Sequence, residues 1–121
     1  MLTTYQALAR LAVNEFGDIV TGSTLIGGTS ASPNKLRLML SDGSYLDVWL
    51  TADEDYAYHW ELRRQRGQLY RWDNAPHHPH VSTFPAHFHE GAEATITQSH
   101  LSLRPAEALR EVLAFVRVHL S

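Results

Sequence analysis

The stretch YRWDNAPHHPHVSTFPAHFHEG, residues 70–91, holds five of the chain's eight histidines (His77, His78, His80, His87 and His89) and three of its five prolines. Imidazole titrates near neutral pH, takes or gives a proton, and ligates metals through a lone pair. Such a cluster suits metal ligation, acid/base catalysis, contact with a partner, or no more than an exposed turn. The metal reading rests on His87-Phe88-His89. In an extended chain, positions i and i+2 point the same way, so both rings could reach one divalent ion. His77 is the third candidate ligand, with His78, Asp73 and Glu90 also within reach in sequence. The spacing has neither the HExxH pattern of a zinc helix nor paired CxxC knuckles, so alone it is weak.

The acid/base reading asks for fewer coincidences. RNA cleavage without a metal needs a base for the 2′-hydroxyl proton, an acid for the leaving 5′-oxygen, and fixed positive charge on the phosphate. His59, His87 and His89, with Arg71 and Arg37 as phosphate contacts and Asp73 beside them, are the right residue types. The candidate catalytic residues are therefore His87, His89, His59, Arg71 and Asp73. A structural account competes with both. Asp73 and Asn74 can bond nearby backbone amides, the prolines stiffen the turn, and Phe84 and Phe88 plug it onto the domain. The histidines then sit in a polar loop, where truncating His87 or His89 costs within about ±0.5 kcal/mol.

The whole chain narrows the classes. Its 121 residues suit one domain, 1–121, with a real core. There is no cysteine, which excludes thiolate metal sites, iron–sulfur clusters and cysteine nucleophiles. No apolar run approaches the ~20 residues that span a bilayer, and MLTTYQALAR is not a signal peptide, so the expected compartment is the cytoplasm, with no membrane partner. The net charge of −3 argues against broad, non-specific nucleic-acid binding. It leaves room for a local basic site, such as Arg63, Arg64, Arg66 and Arg71.

Elements that could position these residues are legible. Tyr5, Leu8, Leu11, Ala12 and Phe16 mark a helix over 3–16. DIVTGSTLIGG reads as one or two strands, and TSASPN as a turn. KLRLMLSDGSYLDVWLTADEDYAYHWELRRQRGQLYRWDN reads as four antiparallel strands, with turns near Asp42-Gly43, at Asp53–Asp55 and at Gln65–Gly67. Apolar residues alternate along them: Leu36, Leu38, Leu40; Leu46, Val48, Leu50; Tyr56, Tyr58, Trp60, Leu62; Tyr70, Trp72. A three-residue first turn with Gly43 left-handed pairs Leu38 with Leu46, and a common apolar face then pairs Val48 with Tyr58 and Tyr58 with Trp72. The opposite face must carry a row Arg37–Asp47–His59–Arg71, with Glu61 and Asp73 beside it. EATITQSHL suits a further strand. Pro105 and the stripe Leu109, Val112, Leu113, Val116 and Leu120 mark a C-terminal helix. The expected fold is α+β: a mostly antiparallel meander of five or six strands, packed on its apolar face by an N-terminal and a C-terminal helix, with a histidine-rich loop.

Taken together, SDGSYLDVWL, YAYHWE, YRWDNAPHHPHVSTFPAHFHEG and ALREVLAFVR resemble the TumE family, the toxin partner of a type II toxin–antitoxin pair. The resemblance runs from about Leu36 to the end and is carried chiefly by the DNAPHH…TFP.H.H pattern. It implies a small cytoplasmic protein that a helix-turn-helix antitoxin binds and silences, and it carries over no catalytic assignment. The expected function is a growth-inhibiting toxin, with RNA as the target that the residue types suit. Two alternatives stay open: a non-enzymatic protein-binding or regulatory module, and a histidine-based metal-binding protein. The expected chemistry needs no cofactor, a divalent metal at His87, His89 and His77 being the alternative. Homo-oligomerisation is left open.

Overall fold

The structure, a computed structural model, describes residues 1–120. Helix α1 (Leu2–Phe16) leads into seven strands: β1 (Val20–Gly28), β2 (Pro33–Leu40), β3 (Tyr45–Leu50), β4 (Tyr56–Leu62), β5 (Gln68–Asp73), β6 (His87–Gly91) and β7 (Ile96–Gln98). One helical turn, α2 (Arg63–Arg66), joins β4 to β5, and α3 (Pro105–Leu120) ends the chain. The strands form a single sheet in sequence order, each antiparallel to the next. This is the expected α+β meander between two helices, with one strand more than the upper expectation. The extra strand is β6, in a segment expected to be loop.

The expected register holds. Gly43 has φ 86°, and the Leu40 N–H reaches the Ser44 carbonyl at 3.0 Å, closing the first hairpin around residues 41–43. Leu38 pairs with Leu46, Val48 with Tyr58, and Tyr58 with Trp72. The turn expected at Gln65–Gly67 is instead the end of α2. Gly67, at φ 70°, donates its N–H to the Arg63 carbonyl at 2.8 Å, the left-handed stop that glycine provides without a Cβ clash.

One sheet face makes the core with the helices. Leu38, Leu46, Val48, Trp60 and Leu62 are wholly buried against Tyr5, Ala12, Leu109, Leu113 and Val116. The Tyr5 hydroxyl donates to the Asn34 carbonyl at 2.9 Å and accepts the Leu50 N–H at 3.0 Å, so α1 is bonded to the sheet as well as packed on it. Arg110 pairs with Glu15 and Arg117 with Asp18, both at the surface between α3 and the α1 end of the chain.

Aromatic rings extend this core to β6. Phe88 stacks on Trp72 with centroids 4.6 Å apart and meets Phe115 of α3 edge-on at 5.7 Å. Only one of the two phenylalanines expected to plug the segment does so, since Phe84 is 42% exposed. Truncating Leu113, which has no solvent exposure, removes a contact between α3 and the sheet. Leu113→Ala is expected to cost about 2–5 kcal/mol in urea unfolding. A loss below about 1 kcal/mol would show that α3 does not seal the core.

Candidate functional site

Antiparallel pairing places Arg37 opposite Asp47, Asp47 opposite His59, and His59 opposite Arg71, the expected row. The row then runs on to β6, where Arg71 pairs with His89 and Asp73 with His87. Phe88 is the reason. It alternates with the two histidines, so seating it beside Trp72 in the core turns both imidazoles to the opposite face. His87 and His89 are therefore not loop residues. They lie in a strand at 1% and 3% exposure, covered by the segment 74–86 that folds back over them.

Arg71 is the hub. Its Nε bonds Asp73 Oδ2 at 3.0 Å, its Nη1 lies 3.3 Å from His59 Nδ1, and its Nη2 lies 3.3 Å from His89 Nε2. Glu93, in the turn between β6 and β7, takes the outer side of the guanidinium with both carboxylate oxygens. On the far side of His59, its Nε2 donates to Glu61 Oε1 at 2.9 Å.

The two strand histidines meet. His87 Nε2 and His89 Nε2 are 3.0 Å apart, and Asp73 Oδ1 lies 3.1 Å from the first. Their other nitrogens are tied to backbone: His87 Nδ1 to the Pro85 carbonyl at 3.0 Å, and His89 Nδ1 to the Glu93 carbonyl at 2.8 Å. Burial holds His89 below the ordinary imidazole value, against the pull of its Glu93 hydrogen bond, and the Arg71 charge adds to the depression. Burial pushes the Asp47 carboxyl up, but Arg37 and Lys35 more than offset it and hold it low. Glu61 is held at about 2, chiefly by its hydrogen bonds to Arg63, against partial burial, with His59 adding to the effect.

Arg71, Asp73, His87, His89 and Glu93 line one side of an open cleft of about 460 Å³, while His59, Glu61 and Asp47 line an adjoining one of about 400 Å³ that shares Trp49 and Ala57. Trp49, Tyr56 and Asn74 also line the larger cleft, with Pro76, His77 and His78 at its rim. A narrower pocket of about 180 Å³, near Met1, Leu50, Tyr58 and Leu103, has no histidine or arginine in its lining.

The sequence profile of the family described as Toxin TumE matches residues 8–120. The chain belongs to the TumE family. No match is found among curated proteins or among solved structures. TumE membership points to a toxin of a toxin–antitoxin system and to a cognate antitoxin as partner. No helix among the described residues is long and apolar enough to cross a membrane.

In this TumE chain all the expected catalytic candidates converge: His59, Arg71, Asp73, His87 and His89 are linked by contacts of 3.5 Å or less. Arg37 does not join them, being held by Asp47 at 2.7 Å on β2, three strands away from Arg71 on β5. The expected metal candidate His77 is exposed, and its neighbour His78 takes the place beside the strand pair. Both line the cleft, but only His78 is grouped with His87 and His89. Glu93 was not foreseeable, because nothing in GAEAT marks an acidic residue that will reach across to Arg71.

Burial overturns the expectation that His87 and His89 can be truncated freely. Removing a buried, hydrogen-bonded ring leaves a void and an unanswered carbonyl, so His87→Ala should cost about 1–3 kcal/mol. His77→Ala should stay within about ±0.5 kcal/mol. Equal costs in urea melts would mean that His87 is not packed as described. Glu61 gives the acid limb of stability. Its folded value lies below its ordinary 4.5, so its contribution is complete above 4.5 and is lost as pH falls toward about 2. Glu61→Gln should flatten the loss of urea stability between pH 4.5 and 2.5; unchanged slopes would remove this assignment.

Proposed function

We propose that this toxin inhibits growth by cleaving RNA on the polar face of the sheet. The observation that supports the reading is the position of Arg71, with His59 on one side and the His87–His89 pair on the other. Chain cleavage needs a proton acceptor and a proton donor on opposite sides of the phosphorus. His87 and His89 touch, so they cannot flank a phosphate by themselves. They can act as one side, with His59 as the other.

Glu93 supports the reading in a second way. A guanidinium fork takes a carboxylate and a phosphate in the same bidentate manner. Glu93 is 61% exposed at its side chain and sits in a turn, so a phosphate can replace it at Arg71 without rearranging the sheet. The bound phosphate then lies between His59 and the histidine pair. The His87–His89 side accepts the 2′-hydroxyl proton as the 2′-oxygen attacks phosphorus. The bond to the 5′-oxygen breaks, and His59, which takes up a proton from solvent at Nδ1 once Arg71 turns to the phosphate, delivers it to that oxygen while Nε2 stays on Glu61. The products carry a 2′,3′-cyclic phosphate and a 5′-hydroxyl.

A net charge of −3 fits this better than it fits a broad RNA-coating surface, because one arginine in a cleft does the phosphate work. Expression without an antitoxin, together with incubation of the purified protein with short RNAs, tests the proposal. Arg71→Lys keeps the charge but loses the fork and should slow cleavage about 10–100-fold. His59→Gln should slow it about 10²–10⁴-fold. Glu93→Gln should cleave at least as fast as the wild type. A wild-type protein that arrests growth while RNA stays whole would end the RNA reading.

A further inference from the structure

His87 and His89 each turn Nδ1 to a backbone carbonyl, at 3.0 and 2.8 Å. A carbonyl only accepts, which assigns the hydrogen to each Nδ1 and leaves each Nε2 presenting a lone pair. The two Nε2 atoms face each other at 3.0 Å. Arg71 Nη2 faces the His89 lone pair at 3.3 Å, but no donor among the described residues answers that of His87, and a cation between the two nitrogens would relieve their repulsion. Two ligands held about 2.0–2.1 Å from one ion stand about 2.8–3.4 Å apart for angles from 90° to tetrahedral. The observed spacing falls inside that range. Anchoring Nδ1–H on a carbonyl is also how imidazole ligands are oriented toward a metal.

A third ring completes the argument. His78 approaches from the segment over the site, with its ring centroid 4.6 Å from that of His87 and 5.8 Å from that of His89. The candidate ligand nitrogens of His78, His87 and His89 all lie within 4.8 Å of one another. His78 is only half-buried, so a side-chain adjustment of about 1–2 Å brings it into a tetrahedral shell. A proton shared by the strand pair would need no third imidazole. An all-nitrogen set with no thiolate selects zinc, nickel or copper over magnesium or calcium.

The geometry points to a divalent ion of the zinc class bound by His78, His87 and His89, with a water at the fourth position beside Asp73. Asp73 Oδ1 lies 3.1 Å from His87 Nε2 and Oδ2 lies 3.5 Å from His89 Nε2. The carboxylate already accepts from the Ala75 N–H and from Arg71 Nε, so it is held in place to accept from that water and to offset the ion's charge. The catalytic use of the site rests on the RNA reading. With the ion in place the lone pairs of His87 and His89 are taken, and the water, having lost one proton to solvent on binding, would take the 2′-hydroxyl proton in their stead as the 2′-oxygen bonds to phosphorus. The bond to the 5′-oxygen breaks, and His59 supplies the proton that oxygen takes.

The test uses untagged full-length protein, stripped with a chelator and titrated with zinc chloride by calorimetry. One zinc per chain is expected. His78→Ala and His89→Gln should each weaken binding at least about tenfold, and His77→Ala should leave it unchanged. Circular dichroism checks that each variant is folded, and His78→Ala, at the half-buried ring, keeps the test open if the buried variant is not. No stoichiometric zinc, or zinc that these two substitutions leave undisturbed, overturns the site. RNA incubated with the same protein after zinc has been restored separates the two readings. Zinc held by the three histidines with RNA left whole sustains the metal site and removes the RNA reading. Cleavage by a protein that takes up no zinc removes the metal site and keeps the RNA reading.

Discussion

Everything in the site depends on the two-residue alternation of an antiparallel sheet. Seven strands lie in sequence order, β2 to β6 share one apolar face, and the two long helices bury that face. A one-residue slip anywhere would carry leucines and tryptophans into water, so the register is fixed by burial. Once it is fixed, the opposite face has no freedom either. Arg37, Asp47, His59, Arg71 and His89 must stand side by side, whether or not their own attractions favour it. Cross-strand ion pairs contribute only about 0.2–1 kcal/mol each, far less than the core that places them. The core positions the site, and the site contributes little to the core.

The polar face has a consistent electrostatic pattern. Lys35 and Arg37 share Asp47, Arg63 is paired with Glu61, and Arg71 is paired with Asp73 and Glu93. Each of these cations has a carboxylate partner, so the face presents no bare positive strip. A negative ligand therefore gains most where a carboxylate can be exchanged cheaply. Asp73 is 10% exposed at its side chain and bonded on several sides, whereas Glu93 is 61% exposed. Exchange is confined to the outer side of Arg71, which opens on the cleft. On the proposed RNA reading, this arrangement favours one phosphate at one place over general attraction to RNA.

Burial shapes the imidazoles in the same way. His89 is depressed first by desolvation and then by the neighbouring arginine, so the neutral ring dominates at neutral pH. A neutral ring with Nδ1 spoken for has a single remaining function, the lone pair on Nε2. That form suits a proton acceptor and a metal ligand equally. The covering segment 74–86 supplies the difference, because it brings His78 alongside. The same segment orients His87 through the backbone carbonyl of Pro85.

By itself, the sequence determined the meander, both long helices, and the row from Arg37 to Arg71. These follow from local alternation and from one glycine turn, and both are short-range properties of the chain. It also contained the signal for β6, since His87-Phe88-His89 is a polar–apolar–polar triplet. The surrounding prolines and polar residues outweighed that signal, and the segment read as loop. Only the tertiary structure decided that Phe88 would stack between Trp72 and Phe115, partners 16 and 27 positions away in number. That contact buries His87 and His89, places them beside Asp73 and Arg71, and makes their loss costly. The choice of His78 over His77, and the reach of Glu93 to Arg71, were also decided there. Neighbouring residues in a turn and a glutamate in a short connection differ only in direction, and direction is set by what the chain folds against.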